Sequence, residues 1–133
     1  MKRFHRSAML MFCFFMAHIE KSHDAASGGI SLYDPEGKLI CKKGFKLAAH
    51  SNNEAEYALL EAGLHICLKH GIRRVFIKGD ALLVVKQVLS VWKSKNTTLK
   101  ERCFKIKGMS KKFEAWSIKH IEYALNEKAH EVA

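Results

Sequence analysis

The sequence predicts one α/β domain: a five-stranded mixed sheet, an antiparallel hairpin plus parallel strands, flanked by helices. Three observations point to it. An unbroken apolar run at residues 9–17 has the character of a central strand buried on both faces. The turn Asp34-Pro35-Glu36-Gly37 separates two strand-like segments. Beyond Ser51 the apolar period lengthens to that of a helix. At 133 residues, 48% of them apolar, the chain has the length and core for a single domain over 1–133, with the basic residues 1–8 expected to be a disordered tail.

Taken in order, residues 9–17 carry three phenylalanines and form the first predicted strand, and residues 18–26 read as polar and irregular. Residues 28–33 and 38–45 form the hairpin; Pro35 presets φ at the second turn position and Gly37 relaxes the fourth. Ser51-Asn52-Asn53-Glu54 has the S-x-x-E form of a capping box. Ala55, Leu59, Ala62 and Ile66 follow as one apolar stripe, Lys69 and His70 suit the negative helix end, and Gly71 suits a left-handed stop. Residues 73–78 are a short strand closed by Gly79-Asp80. Helices are predicted over 82–92 and 99–113, a strand over 116–121, and a last helix from Asn126 to the chain end.

The formal net charge is +10, from 23 Lys+Arg against 13 Asp+Glu, which favours a polyanionic partner through counterion release. Cys13, Cys41, Cys67 and Cys103 show no C-x-x-C and no zinc-finger spacing, so they read as reduced structural thiols of an intracellular protein, nuclear or cytoplasmic. Lys2, Arg3 and Arg6 before the apolar run 8–17 imitate a signal peptide. The run is nevertheless short of the ~20 residues of a membrane span, and Phe15 stands where cleavage after Ala17 wants a small residue. No membrane association is expected.

Three stretches share one pattern. Ser51-Asn52-Asn53-Glu54-Ala55-Glu56-Tyr57 resembles T-N-N-x-A-E-Y. Lys78-Gly79-Asp80-Ala81 with Gln87, Trp92, Lys95, Asn96 and Leu99 resembles G-D-S…Q…W-x-x-K-N-x-x-L. His120-Ile121 with Asn126 and Ala129 follows H-V-x-R-x-x-N-x-x-A-D. The turn segment 32–38 has the matching L-Y-D-x-x-G-K form. All belong to the plant reverse-transcriptase-like ribonuclease H domains, which the chain resembles from about Gly28 onward. The resemblance implies a ribonuclease H-like fold and descent from a metal-dependent endonuclease that cleaves RNA in RNA–DNA hybrids.

That chemistry uses two closely spaced divalent ions, Mg2+ or Mn2+, held by carboxylates. The resemblance assigns Glu56 and Asp80 as catalytic, metal-holding residues. The other two family carboxylates are replaced: Met16, a soft neutral thioether, stands at the first position and His130 at the last. Glu131 and His120 remain as weak contributors, and Tyr123 replaces the family arginine. Weak metal binding and feeble or absent catalysis are expected, because two carboxylates poorly neutralise two close dications.

Nucleic-acid contacts are implied for Asn52, Asn53, Trp92, Lys93, Lys95 and Asn96, with the basic run Lys100, Arg102, Lys105, Lys107, Lys111 and Lys112 either extending that surface or forming a solvated helix face. The expected partner is an RNA–DNA hybrid or RNA, engaged by a monomer. A silent module binding nucleic acid or protein, and a non-functional retroelement relic, stay open as alternatives.

Overall fold

A computed structural model describes residues 9–20, 25–48 and 51–121, with side chains described over 26–47 and 51–121. Among the described residues five strands, β1 (Met9–Glu20), β2 (Ala25–Tyr33), β3 (Leu39–Ala48), β4 (Arg74–Gly79) and β5 (Ala115–His120), form one sheet in the order β3-β2-β1-β4-β5. β1, β2 and β3 are antiparallel neighbours, whereas β4 lies parallel to β1 and β5 parallel to β4. The helices are α1 (Asn52–Lys69), α2 (Leu82–Val88) and α3 (Thr97–Ser110). The predicted mixed sheet with a hairpin and flanking helices is what forms. The helix expected from Asn126 onward, and the tail 1–8, lie outside the described residues.

The predicted turn forms as read. Asp34 Oδ1 accepts from the backbone N–H groups of Glu36 and Lys38 at 3.0 and 2.8 Å, and Gly37 takes φ +86°, a conformation that only glycine adopts cheaply. Strand ends differ from the prediction. β1 runs on to Glu20 because β2 begins early enough to pair with it (Glu20 opposite Ala25), across an irregularity between Met16 and His18. Pairing between distant segments overrides the polar, irregular composition there. At the exposed sheet edge, β3 presents Lys42, Lys43 and Lys46 to solvent, charges that discourage further strand addition.

Ser51 caps α1 as predicted: its Oγ accepts from the Glu54 N–H at 3.1 Å. Gly71 closes the end at φ +72°. The buried face differs from the predicted stripe. Ala55 and Leu59 are buried, yet Ala62 and Ile66 are only partly so, and Tyr57, Leu60, Gly63, Leu64 and Cys67 carry the burial instead. α1 packs on the sheet and also against α3, so its covered arc is wider and rotated. Tyr57, Leu59, Leu60 and Leu64 join Ile30, Leu32, Ile77 and Ile106 as the largest fully buried side chains. Each contributes about 1.5–3 kcal/mol of transfer free energy relative to exposure.

α2 is shorter than the predicted 82–92. Ser90 adopts φ +63°, its N–H donates to Gln87 O and that of Val91 to Lys86 O, a Schellman closure with serine in the place usually held by glycine. The third helix starts two residues before the predicted Leu99, capped by Asn96 Oδ1 on the Leu99 N–H at 3.1 Å. Among the described residues Cys41, Cys67 and Cys103 are free thiols. Burial, and next the neighbouring Cys41, push the Cys67 thiol up to about 12, which keeps it protonated and unreactive. No helix among the described residues is long and apolar enough to cross a membrane.

Candidate active site

The parallel pairing of β1, β4 and β5 ends at one level. Phe14 pairs with Gly79, and Gly79 with His120; the Ile121 N–H donates to Gly79 O at 2.8 Å. Continuing the β1–β4 offset brings Phe15 level with Asp80, and Met16 one residue, ~3.3 Å, beyond it. Asp80 therefore follows the carboxyl end of a central strand, the edge at which open α/β sheets present their chemistry. The cap position of α2 falls on Ala81, not on Asp80.

Glu56 reaches the same place from α1. The helix lies across β1 and β2, and its capped N-terminal part carries Glu56 to the strand ends. Burial raises the Glu56 carboxyl from 4.5 to about 7, and the charge of Asp80 adds to the rise. Two carboxylates thus share one partly buried space, in which the Asp80 charge makes ionisation of Glu56 harder. That arrangement is suited to a cation or to proton exchange near neutrality. His120 is half-buried at the end of β5, beside Gly79.

Among the described residues no group of three or more His, Cys, Asp or Glu side chains converges. Glu56 and Asp80 are hard oxygen donors, and such a pair fits one Mg2+ that keeps most of its waters. It does not fit a two-ion cluster. Met16 is placed by its strand alone, opposite Gly28, while His130, Glu131 and Tyr123 lie outside the described residues.

Of the residues assigned to nucleic acid, Asn52 is exposed and Asn53 half-buried on the first turn of α1, and Trp92, Lys93, Lys95 and Asn96 are exposed between α2 and α3. Asn96 spends its Oδ1 on the helix cap, so its amide N–H groups are what it offers a phosphate. The basic run divides by face. Arg102 contacts Glu54 at 3.3 Å and Lys105 contacts Glu61 at 3.2 Å, pinning α3 to α1. Lys107 donates to Ser90 Oγ, and with Lys100 it faces the opposite side, where a pocket opens.

Sequence reasoning gave no role to the polar core that supports the site. Tyr57 donates its hydroxyl to Gln87 Oε1 at 2.6 Å, and the Cys103 thiol donates to Gln87 O at 3.5 Å. Burial, with a contribution from Cys103, raises the Tyr57 phenol above its ordinary value, so it remains a donor. The signal was present: Tyr57 directly follows Glu56 in the first motif, and Gln87 belongs to the second.

This architecture, a five-stranded mixed sheet with two acids meeting at the ends of its parallel strands, defines a ribonuclease H-type domain. The family model described as reverse transcriptase-like matches residues 15–133. A ribonuclease HI of Halobacterium salinarum is 30% identical over 108 residues, covering 81% of this chain and 54% of that protein, so the chain spans about half the relative's length. The crystal structure of RNase H1 from the same archaeon superposes with a TM-score of 0.86 at 27% identity, covering 94% of each chain. LC11-RNase H1, solved in complex with an RNA/DNA hybrid, shares the fold with a TM-score of 0.82 at 23% identity, covering 92% of each chain. The chain belongs to the reverse transcriptase-like, ribonuclease H family.

Proposed function

We propose that this domain binds RNA–DNA hybrids through phosphate contacts and carries a reduced form of the family's metal-dependent hydrolytic site, with weak or no cleavage of the RNA strand. The pairing of Glu56 with Asp80 at the ends of β4 and its neighbours carries this reading. Kinship with the plant domains in particular rests on the three motifs. The net charge of +10 supports a polyanionic partner.

Glu56 and Asp80 would hold one Mg2+ or Mn2+, which when bound supplies Lewis-acid stabilisation to a phosphoryl oxygen. Around it, the chain's own groups divide the work. Asn52 and Asn53 offer amide N–H groups to the backbone near the helix start, and Lys93, Lys95 and Asn96 offer further donors. Glu56, poised at about 7, changes protonation near neutrality and so couples ion binding to pH. His120, at the end of β5, would serve near a leaving oxygen. On this reading Met16 and His130 supply no carboxylate for a second ion, which limits in-line displacement to a weak rate.

The test pairs binding with cleavage on an RNA–DNA hybrid carrying a labelled RNA strand. Affinity should fall steeply with salt, each phosphate contact adding about −0.9 to the log–log slope on duplex nucleic acid, and Mg2+ should add little cleavage. A flat salt response removes the polyanion-binding reading. Fast Mg2+-dependent cleavage by the unaltered chain removes the reduced site.

A further inference from the structure

We propose that the pocket between the end of α2 and α3 takes an unpaired nucleobase of a single strand, stacked on Trp92 and Phe104, with flanking phosphates on Lys93, Lys95, Lys100 and Lys107. The inference goes beyond the hybrid-binding reading: it shares Trp92, Lys93 and Lys95 with it and adds a hollow that this reading does not use.

The pocket holds about 520 Å³, within the range of small-ligand sites. Its wall contains those four lysines and two aromatic rings, and among the described residues no Asp or Glu lines it. Phe104 is 80% exposed and Trp92 45%, and Leu89 and Val91, which precede Trp92 in the chain, are exposed as well. Exposing a phenylalanine to this extent on a helix that otherwise presents charge has no folding benefit. Contacts to a duplex backbone call for cations and amide donors, not for an apolar hollow. Rings beside cations are what a single strand requires, since every base offers a π-face and every linkage a charge.

Two further features favour a strand over a lone nucleotide or an acidic peptide. Lys100 and Lys107 are seven residues apart on one helix, about 10 Å at 1.5 Å per residue, further than one phosphate bridges. Gln87 lines the pocket with its Oε1 accepting from Tyr57, so the donors that remain to this side chain are its amide N–H groups, suited to a base carbonyl or ring nitrogen. The Lys107 contact to Ser90 Oγ ties α3 to the left-handed turn and keeps the rim formed.

The experiment titrates the intact chain with three labelled probes: oligothymidylate of about ten nucleotides, an abasic deoxyribose-phosphate strand of equal length, and a blunt RNA–DNA hybrid. The base-bearing strand should bind about fivefold or more tighter than the abasic one. Phe104→Ala should erase that difference and leave the hybrid affinity unchanged; Phe104→Trp should keep it. Equal binding of the two strands overturns the proposal, as does an equal loss for strand and hybrid in Phe104→Ala. An acidic aromatic peptide that binds through Phe104 more tightly than the strand also overturns it. A wild-type chain that ignores the hybrid yet prefers the base-bearing strand removes the hybrid reading and leaves this one standing.

Discussion

Tyr57 and Gln87, thirty positions apart in sequence, are joined in the core by a hydrogen bond of 2.6 Å from phenol to side-chain amide. Tyr57 immediately follows Glu56, and Gln87 lies in the last turn of the helix that begins just past Asp80, so this bond fixes the two acid-bearing segments against each other. Tyr57→Phe leaves Gln87 Oε1 buried without that donor. A loss of about 1–3 kcal/mol is expected, read as a lower urea midpoint at unchanged slope. Adding Gln87→Met should recover part of the loss. Strictly additive losses would show that the pair is not coupled.

The raised Glu56 carboxyl makes metal-free stability depend on pH. Its folded value, about 7, lies above its ordinary 4.5. Between these two the native state holds a proton that the unfolded chain has released, so stability falls as pH rises. The contribution is complete below about 4.5 and gone above about 7. Glu56→Gln should flatten this segment of the stability–pH curve and be the more stable form at pH ~8, by on the order of 1–2 kcal/mol after allowance for partial solvent exposure. A wild-type curve that rises across the same window would show the carboxyl to be stabilised when ionised.

α3 is held to α1 by charge. Arg102 meets Glu54 at 3.3 Å and Glu61 at 3.9 Å, and both glutamates are largely shielded, with side-chain exposures of 12% and 18%. Arg102→Met should cost about 1–2 kcal/mol by leaving these carboxylates poorly compensated. Combining it with Glu54→Gln should return part of that cost. High salt should shrink the effect, and a loss indifferent to salt would assign it to lost packing of the arginine stem.

Legibility in the sequence followed how local each cause was. The α1 start was readable because Ser51 caps within three residues, and the Asp34–Gly37 turn because its bonds close inside it. The end of α2 was not, since a serine in the left-handed position carries no compositional mark. The extension of β1 to Glu20 depends on pairing with Ala25, and the rotated buried face of α1 depends on α3 lying alongside. Glu56 and Asp80 were visible through their motifs, but only the fold brings two acids 24 positions apart to one spot. Phe104 was hidden inside a basic run. Its meaning emerges once Arg102 and Lys105 turn toward α1 and Lys100 and Lys107 toward the pocket.

Placing acids at positions 16 and 130, the two proposed to have lost them, tests whether that loss is what weakens the site. β1 carries Met16 to within one residue of the level of Asp80, so Met16→Asp adds a carboxylate near the place where the parallel pairing of β1 and β4 ends. His130→Asp supplies the fourth family position. The double variant should gain Mg2+-dependent cleavage of the RNA strand of a hybrid, and each single change should give less, because in-line displacement needs both ions held together. Asp80→Asn in the double background should abolish the gain, since the amide keeps the shape and loses the charge. A gain from Met16→Asp alone equal to that of the pair would mean that Glu131 already serves at the last position. If the double variant folds and binds hybrid with the wild-type salt slope yet cleaves nothing, the defect lies elsewhere. Tyr123, in place of the family arginine, is then the next position to change.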